Sequence, residues 1–177
     1  MKDATLYDIR IKELAMLNEI GRAISSTIII DDLIELIYEQ TTRIMEVSAF
    51  YIALYLEDSD ELMIIFDVLN GKRQPEEEGT RKLGNGRTEY IIRHKKPLLI
   101  KSNPQKVYQK LGIVSGDKKA KACAGVPMIF SGKAIGALVV QSYKVNEAYD
   151  QHHIDLLSTI ASQAAIAIEN AHLFKTI

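Results

Sequence analysis

The sequence predicts an α+β fold in which an antiparallel sheet of five or six strands carries long helices on one face and short helices on the other. Two observations support this prediction: the order of helix-like and strand-like segments, and the segment 49–56, whose two alternate faces are both apolar. A strand of that kind is covered on both sides. With 177 residues, 47% of them apolar, the chain can bury one core, so we expect a single domain over residues 1–177.

Helical periodicity marks both ends of the chain. Residues 5–26 and 33–46 place apolar side chains at three- and four-residue spacings, which predicts two amphipathic helices. Asp31 or Asp32 can cap the second helix, and Glu35 follows Asp32 by three residues, a spacing typical of a helix start. Residues 151–174 predict a long final helix that the preceding aspartate can cap.

The four longest strand-like segments form two hairpins in sequence. Residues 49–56 and 62–69 flank a short polar turn, which predicts an antiparallel pair. Residues 122–130 and 133–143 flank Ser131-Gly132, which is a tight-turn signal.

Smaller elements separate the two hairpins. A polar loop at 70–80 is followed by a short helix at 87–94, by a short strand at 98–100 and by a second short helix at 104–111. Mixed elements of this kind around an antiparallel sheet are typical of an α+β sandwich.

Composition excludes several classes of function. The net charge of −1 favours neither nucleic acid nor anionic lipid, and the basic loop 118–121 has no interleaved aromatic residues. No apolar run is long enough to span a membrane, and the N-terminus has no signal-peptide pattern. A single cysteine fits a reducing compartment, so we expect a cytoplasmic protein. His152 and His153 point in different directions on a helix, which argues against a shared metal ion.

Five segments in order resemble the GAF family, as found in bacterial and archaeal sensor histidine kinases and diguanylate cyclases. The resemblance covers roughly residues 14–174. It rests on Phe50-Tyr51-Ile52-Ala53-Leu54-Tyr55, on Leu83-Gly84-Asn85-Gly86-Arg87 and the residues up to Arg93, on Lys96-Pro97-Leu98-Leu99-Ile100, on Gly125-Val126-Pro127-Met128 and on Ile135-Gly136-Ala137-Leu138-Val139-Val140-Gln141-Ser142-Tyr143.

The resemblance implies a partly apolar ligand pocket between the sheet and the two short helices. Alternation along the strand places Cys123 and Gly125 on one face, and a glutamine among aliphatic residues is costly to bury without a partner. For the tyrosines and the cysteine, filling of the core is the alternative interpretation. The nine expected ligand-binding residues are Ile52, Leu54, Phe66, Tyr90, Tyr108, Cys123, Gly125, Val139 and Gln141.

The function that the resemblance implies is a non-catalytic regulatory domain. It would sense an unidentified small molecule and relay binding through the helices at 5–26 and 151–174 to an effector such as a histidine kinase. The alternative is a GAF domain without a ligand that serves as a dimerising spacer. The GAF branch that reduces free methionine sulfoxide uses several cysteines, and Cys123 stands alone. The cyclic-nucleotide signature and the bilin-anchoring cysteine are also absent, and the sequence identifies no cofactor.

The final helix carries two apolar stripes. One of them has the spacing of a heptad seam, and we expect it to pair two copies into a homodimer with a four-helix bundle. The alternative is that both stripes are buried within one copy. The six expected interface residues are Ile154, Leu157, Ala161, Ala164, Ile168 and Ala171.

Overall fold

The computed structural model describes residues 2–26 and 30–175, so residue 1, residues 27–29 and residues 176–177 of the predicted domain lie outside the described residues. The described part contains five helices and seven strands. The helices are α1 (Lys2–Ser26), α2 (Ile30–Ile44), α3 (Arg87–His94), α4 (Pro104–Leu111) and α5 (Gln151–Lys175). The strands are β1 (Ala49–Leu56), β2 (Glu61–Leu69), β3 (Lys72–Arg73), β4 (Arg81–Lys82), β5 (Leu98–Ile100), β6 (Ala122–Phe130) and β7 (Lys133–Ser142).

All strands join one antiparallel sheet with the order β3-β2-β1-β7-β6-β5, and β4 pairs with β2 beside this path. Both predicted hairpins are present. The first strand of one hairpin pairs with the last strand of the other, which places β1 and β7 at the centre. The predicted α+β class is confirmed. The two additional strands, β3 and β4, are only two residues long and lie within or beside the segment that the sequence predicts as a loop.

The sheet separates two apolar cores. On the helix side, α1, α2 and α5 pack on side chains such as Phe50, Val126 and Val140. On the roof side, α3 and α4 pack on side chains such as Cys123 and Val139. Neighbouring residues of one strand belong to different cores because side chains alternate across a sheet.

Helix boundaries differ from the prediction mainly at α2. The helix starts at Ile30, so Asp31 and Asp32 lie in its first turn and do not precede it. Acidic groups there still favour the helix because they interact with its positive end. The predicted cap of α5 is confirmed: the Asp150 Oδ1 atom accepts a hydrogen bond of 3.1 Å from the backbone N–H of His153.

The apolar seam of α5 is buried within one copy of the chain, contrary to the predicted interface. The helix packs on β6 and on α1 and α2, and each of its six seam residues is at most 9% exposed. A heptad spacing nearly coincides with the helical period, so it suits a helix on its own core as well as a helix in a dimer. The six residues that belong to the core of one copy, and not to the predicted interface, are Ile154, Leu157, Ala161, Ala164, Ile168 and Ala171. Association of two copies stays a prediction, but these residues do not provide its surface.

Among the helices of the described residues, none combines the length and the hydropathy that a membrane span requires.

Candidate functional site

A polar cavity of about 460 Å³ lies on the roof side of the sheet. Its floor is formed by β1, β2 and the end of β7, and one wall is formed by the N-terminus of α3. The loop 114–117 contributes a second wall, and residues of the loop after β3 also line the cavity. The cavity is therefore open to the ends of three strands and to two loops, which are the parts of a fold that most often carry binding sites.

Arg87 organises the inner part of this cavity. It is the first residue of α3, directly after Gly86 in extended conformation. Its Nε atom donates to the Tyr51 hydroxyl at 2.9 Å, Nη1 donates to the Tyr108 hydroxyl at 3.2 Å, and Nη2 donates to Gln141 Oε1 at 3.0 Å. The guanidinium carbon also lies 5.4 Å from the centre of the Tyr51 ring. All three acceptors are neutral. In addition, no carboxylate of the described residues forms an ion pair with the Arg87 guanidinium.

Asp117 is held from three sides at the outer edge of the same network. Its Oδ2 atom accepts hydrogen bonds from Gln141 Nε2 at 2.9 Å and from the Tyr143 hydroxyl at 3.1 Å. Its Oδ1 atom accepts one from the backbone N–H of Lys119 at 2.9 Å. Burial opposes the charge of Asp117, but these hydrogen bonds outweigh burial and lower its pKa. The side chain of Gln141 thus bridges Arg87 and Asp117, and both ends of the amide have partners.

Glu89 is the most deeply buried acid of the cavity, with 1% of its surface exposed. Its Oε1 atom accepts hydrogen bonds from Arg81 Nη1 and from the backbone N–H of Gly84. Burial raises the pKa of Glu89, but the contact with Arg81 and the backbone hydrogen bonds at Glu89 and Gly84 together outweigh burial, so the net shift of this pKa is downward. The second carboxylate oxygen, Oε2, has no hydrogen-bond partner within the described residues. A buried acceptor of this kind is unusual, because leaving it unpaired costs about 1–3 kcal/mol.

Asp67 lines the cavity from β2, where it pairs in register with Tyr51. Its side chain forms no hydrogen bond and no ion pair with any described residue. Burial raises the pKa of Asp67, the negative charge of Glu77 raises it further, and the charge of Arg87 lowers it. The cavity therefore contains a cation and an anion, Arg87 and Asp67, that do not neutralise each other by contact.

Comparison with protein families gives one match that decides the classification. The family model described as a GAF domain matches residues 29–169 of the chain. The chain belongs to the GAF family. Comparison of the GAF domain with curated proteins gives no significant match.

Solved structures similar to this GAF domain share its fold at low sequence identity. The GAF domain of an Acinetobacter phosphoenolpyruvate-protein phosphotransferase has a TM-score of 0.76 and 20% identity, over 92% of this chain and 95% of that chain. Residues 122 to 287 of a methyl-accepting chemotaxis protein have a TM-score of 0.73 and 18% identity, over 89% and 99% of the two chains. The free methionine-R-sulfoxide reductase of Neisseria meningitidis, in complex with its substrate, has a TM-score of 0.69 and 14% identity, over 91% and 90%.

Three of the expected pocket residues lie on the wrong face of the GAF domain. Ile52, Leu54 and Phe66 belong to the helix-side core, so they do not line the cavity. Ile52 and Phe66 pair in register and therefore share a face, and the next pair, Tyr51 and Asp67, faces the cavity. The assignment was wrong because β1 is apolar on both faces, so its alternation does not indicate which face meets the roof.

The other six expected residues lie on the roof side. Gln141 lines the cavity directly. Tyr108 is buried and reaches the cavity through its hydrogen bond to Arg87. Tyr90 lines a separate depression of about 200 Å³ and stacks on His94 with ring centres 4.0 Å apart. The remaining three, Cys123, Gly125 and Val139, are packed beneath α3, where Val139 and the Ile91 side chain lie close to Gly125.

Sequence reasoning missed several residues of the cavity. Asp67 could have been predicted from the sequence. It is the one charged residue between positions 62 and 69, so it marks the polar face of its strand. Arg87 and Glu89 lie in the segment that carries the family resemblance, but their convergence on distant residues has no local signal. The missed residues on which the description of the site depends are Tyr51, Asp67, Arg87, Glu89, Asp117 and Tyr143.

Cys123 is fully buried in the roof-side core. Burial raises the pKa of its thiol to about 11, although the charge of Arg87 and a hydrogen bond from Tyr108 lower it in part. The thiol is therefore protonated at neutral pH, and a protonated thiol is a poor nucleophile. Within residues 2–26 and 30–175, histidine, cysteine and carboxylate side chains form no cluster of three or more that could hold a metal ion.

The unpaired state of Asp67 leads to a prediction about stability. Asp67→Asn is expected to raise the thermal midpoint at neutral pH by about 2 °C, because it removes a half-buried charge that has no partner. The pKa of Asp67 is raised in the native state, so wild type gains stability as the pH falls through that pKa, and the variant does not. The difference between them should shrink in acid. Thermal unfolding at neutral and mildly acidic pH measures both effects.

Asp58→Asn is the matched control, because Asp58 lies exposed in the turn between β1 and β2. It should leave the midpoint unchanged at either pH. A lower midpoint for Asp67→Asn than for wild type at neutral pH would show that Asp67 stabilises the native state, contrary to the prediction.

Proposed function

We propose that this GAF domain is a non-catalytic sensor that binds a small polar molecule in the cavity around Arg87 and relays the event through α1 and α5. The observation that carries the proposal is the guanidinium of Arg87, which is held in place by three neutral acceptors on β1, α4 and β7. A fixed cation without an anionic partner, at the inner wall of a cavity, is suited to a ligand that carries a complementary group.

The elements around the cavity are connected in a way that supports closure on a ligand. The backbone N–H of Val114 donates to the Asn85 carbonyl at 2.8 Å, and Gln105 Nε2 donates to the Asp117 carbonyl at 2.6 Å. These bonds link the loop 112–121 to the start of α3 and to α4. A ligand that contacts Arg87 and Asp117 together would favour the arrangement in which these parts are closest, which is a shift of population.

A route from the cavity to the terminal helices exists in β7. Gln141 lines the cavity, and its neighbour Val140 points to the opposite face and packs in the core beneath the helices. On that side α5 contacts β6 and β7, and it also contacts α1, where His152 is hydrogen-bonded to Glu13. A small displacement of the end of β7 can therefore change the packing of α5 and α1.

Two features support a non-catalytic function. The one cysteine of the chain is buried with a raised pKa, and it lies beneath the roof helix and not in the cavity lining. The polar groups of the cavity are largely engaged with one another, as in a binding site. The cytoplasmic location and an effector such as a histidine kinase or diguanylate cyclase are parts of the proposal that rest on the sequence.

A thermal-shift screen of the full chain tests the sensor proposal. The probes are α-amino acids, dicarboxylates, amines, nucleotides and sugars. At least one class should raise the midpoint, because a ligand at one hundred times its Kd stabilises the native state by about 2.7 kcal/mol. Arg87→Gln should abolish that shift, and hydrogen exchange in α5 should change when the active probe is added to wild type.

Arg93→Gln is the matched control, since Arg93 is an exposed arginine of the same helix. It should leave the shift intact. If no class shifts the midpoint, or if Arg87→Gln responds as wild type does, the sensor proposal is wrong and the spacer function is favoured.

A further inference from the structure

The charges of the cavity fall into two groups. Six charged residues line it: Asp67, Glu77, Arg81, Arg87, Glu89 and Asp117. Three of them are engaged with the protein, because Arg81 pairs with Glu89 and Asp117 accepts three hydrogen bonds. Glu77 is exposed on the loop after β3. Arg87 and Asp67 remain as one cation and one anion whose charges no described side chain neutralises by contact.

Arg87 has the capacity to bind a carboxylate. A guanidinium has five N–H donors, and three of those of Arg87 are used by Tyr51, Tyr108 and Gln141. The two that remain lie on different terminal nitrogens, one on each. Two N–H groups of one guanidinium match the two oxygens of a carboxylate, which is the strongest arrangement such groups form.

The cavity also presents an acceptor to a ligand. The Asp67 carboxylate lines it from β2 and has no partner among the described residues. An ammonium group has three donors and a positive charge, so it complements this carboxylate. A ligand with a carboxylate alone would meet the repulsion of Asp67, and a ligand with an ammonium alone would meet that of Arg87.

We propose that the ligand of this cavity is a small zwitterion, with a carboxylate held by Arg87 and an ammonium held by Asp67, as in a free α-amino acid. The inference rests on the proposed sensor function and specifies its ligand class. Ala49, Ile64, Leu69 and Val114 line the remaining space, which accommodates an apolar or mixed side chain on the ligand. A volume of about 460 Å³ is within the range of small-molecule sites and leaves room for such a side chain.

Calorimetric titration of the full chain with matched derivatives tests this proposal. The probes are leucine, methionine and glutamine, each as the free amino acid, as the N-acetyl derivative and as the amide. Acetylation removes the ammonium charge and amidation removes the carboxylate. At least one free amino acid should bind, and both of its derivatives should bind about 10–100-fold more weakly, as expected for the loss of one charged hydrogen-bonded contact.

Variants of the two charged residues should separate the two ends of the ligand. Asp67→Asn should weaken the free amino acid about 10–100-fold and leave the N-acetyl derivative unchanged or improved, because the repulsion of its carboxylate is removed. Arg87→Gln should weaken the free acid and the N-acetyl derivative but not the amide. The exposed controls Asp58→Asn and Arg93→Gln should bind all probes as wild type does. Thermal midpoints verify that each variant is folded.

The outcomes distinguish this inference from the sensor proposal. Equal binding of free and N-acetyl forms, or wild-type affinity of Asp67→Asn for the free amino acid, would overturn the zwitterion and leave a sensor of anions. If no amino acid binds but another class shifts the midpoint in the screen, the ligand class is wrong and the sensor function remains. If no probe binds in either experiment, both proposals fail.

Discussion

Ala161→Glu is expected to destabilise the domain strongly and not to separate two copies of it. Ala161 is fully buried at the centre of α5, between the sheet and the neighbouring helices. A carboxylate there has no partner and exceeds the available space, so the native state should lose about 3–5 kcal/mol. The thermal midpoint should fall by roughly 10 °C or more. Thermal and urea unfolding measure the loss, and sedimentation of the soluble fraction reports its association state.

Ile166→Glu is the control on the same helix. Ile166 is 50% exposed, so a charge at this position should change the stability by about 0.5 kcal/mol at most. The pair of variants compares one substitution type on the buried and exposed faces of α5. The opposite outcome is an Ala161→Glu protein that stays fully stable but changes from dimer to monomer. That result would support a dimer interface at Ala161 and contradict its burial within one chain.

Gly136→Ala is expected to disrupt the centre of the sheet. Gly136 lies in β7 between Leu54 of β1 and Met128 of β6. A Cβ atom at this position would overlap the carbonyl oxygen of Ala53 and lie 2.5 Å from Met128 Cε. Met128 can change its rotamer, but the oxygen belongs to the backbone of a central strand. We expect a loss of about 3 kcal/mol, at the upper end of the usual cost of overpacking. Denaturant unfolding measures it.

Gly116→Ala is the matched control for this substitution. No heavy atom lies within 4 Å of a Cβ built on Gly116. The added methyl group should therefore be neutral or slightly stabilising, because it reduces the conformational freedom of the unfolded chain. Equal stabilities of the two variants would contradict this prediction. They would show that β1 and β6 move apart easily enough to accommodate a methyl group at Gly136.

The element order and both hairpins were predictable from sequence because they depend on local properties. The polar turn between 56 and 62 and the Ser131-Gly132 pair each join two strand-like segments that are adjacent in the chain, so the pairing partner is also the nearest one. Helical spacing and the Asp150 cap similarly placed the start of α5. Gln141 could be placed at the site because a polar side chain among aliphatic residues indicates a polar partner.

Tertiary structure alone decided which face of β1 meets the cavity. Both alternate faces of β1 are apolar, so a shift of one residue exchanges two equally suitable sets of side chains. The docking of α3 selected the face of Tyr51 and Asp67 and left Ile52 and Phe66 under the long helices. The two stripes of α5 pose the same problem, because an apolar stripe specifies burial and does not specify whether its partner is the same chain or another.

The sequence by itself therefore determined the order of the elements, the fold class and one residue of the cavity. The arrangement around Arg87 depended on the folded chain, because its three acceptors, Tyr51, Tyr108 and Gln141, lie 36, 21 and 54 residues away in sequence. The spacing of apolar residues is a local pattern that extends over a few residues, and it indicates whether a segment is a helix or a strand. Contacts over such separations are set by sheet register and by the packing of a helix on a face, which only the whole chain specifies.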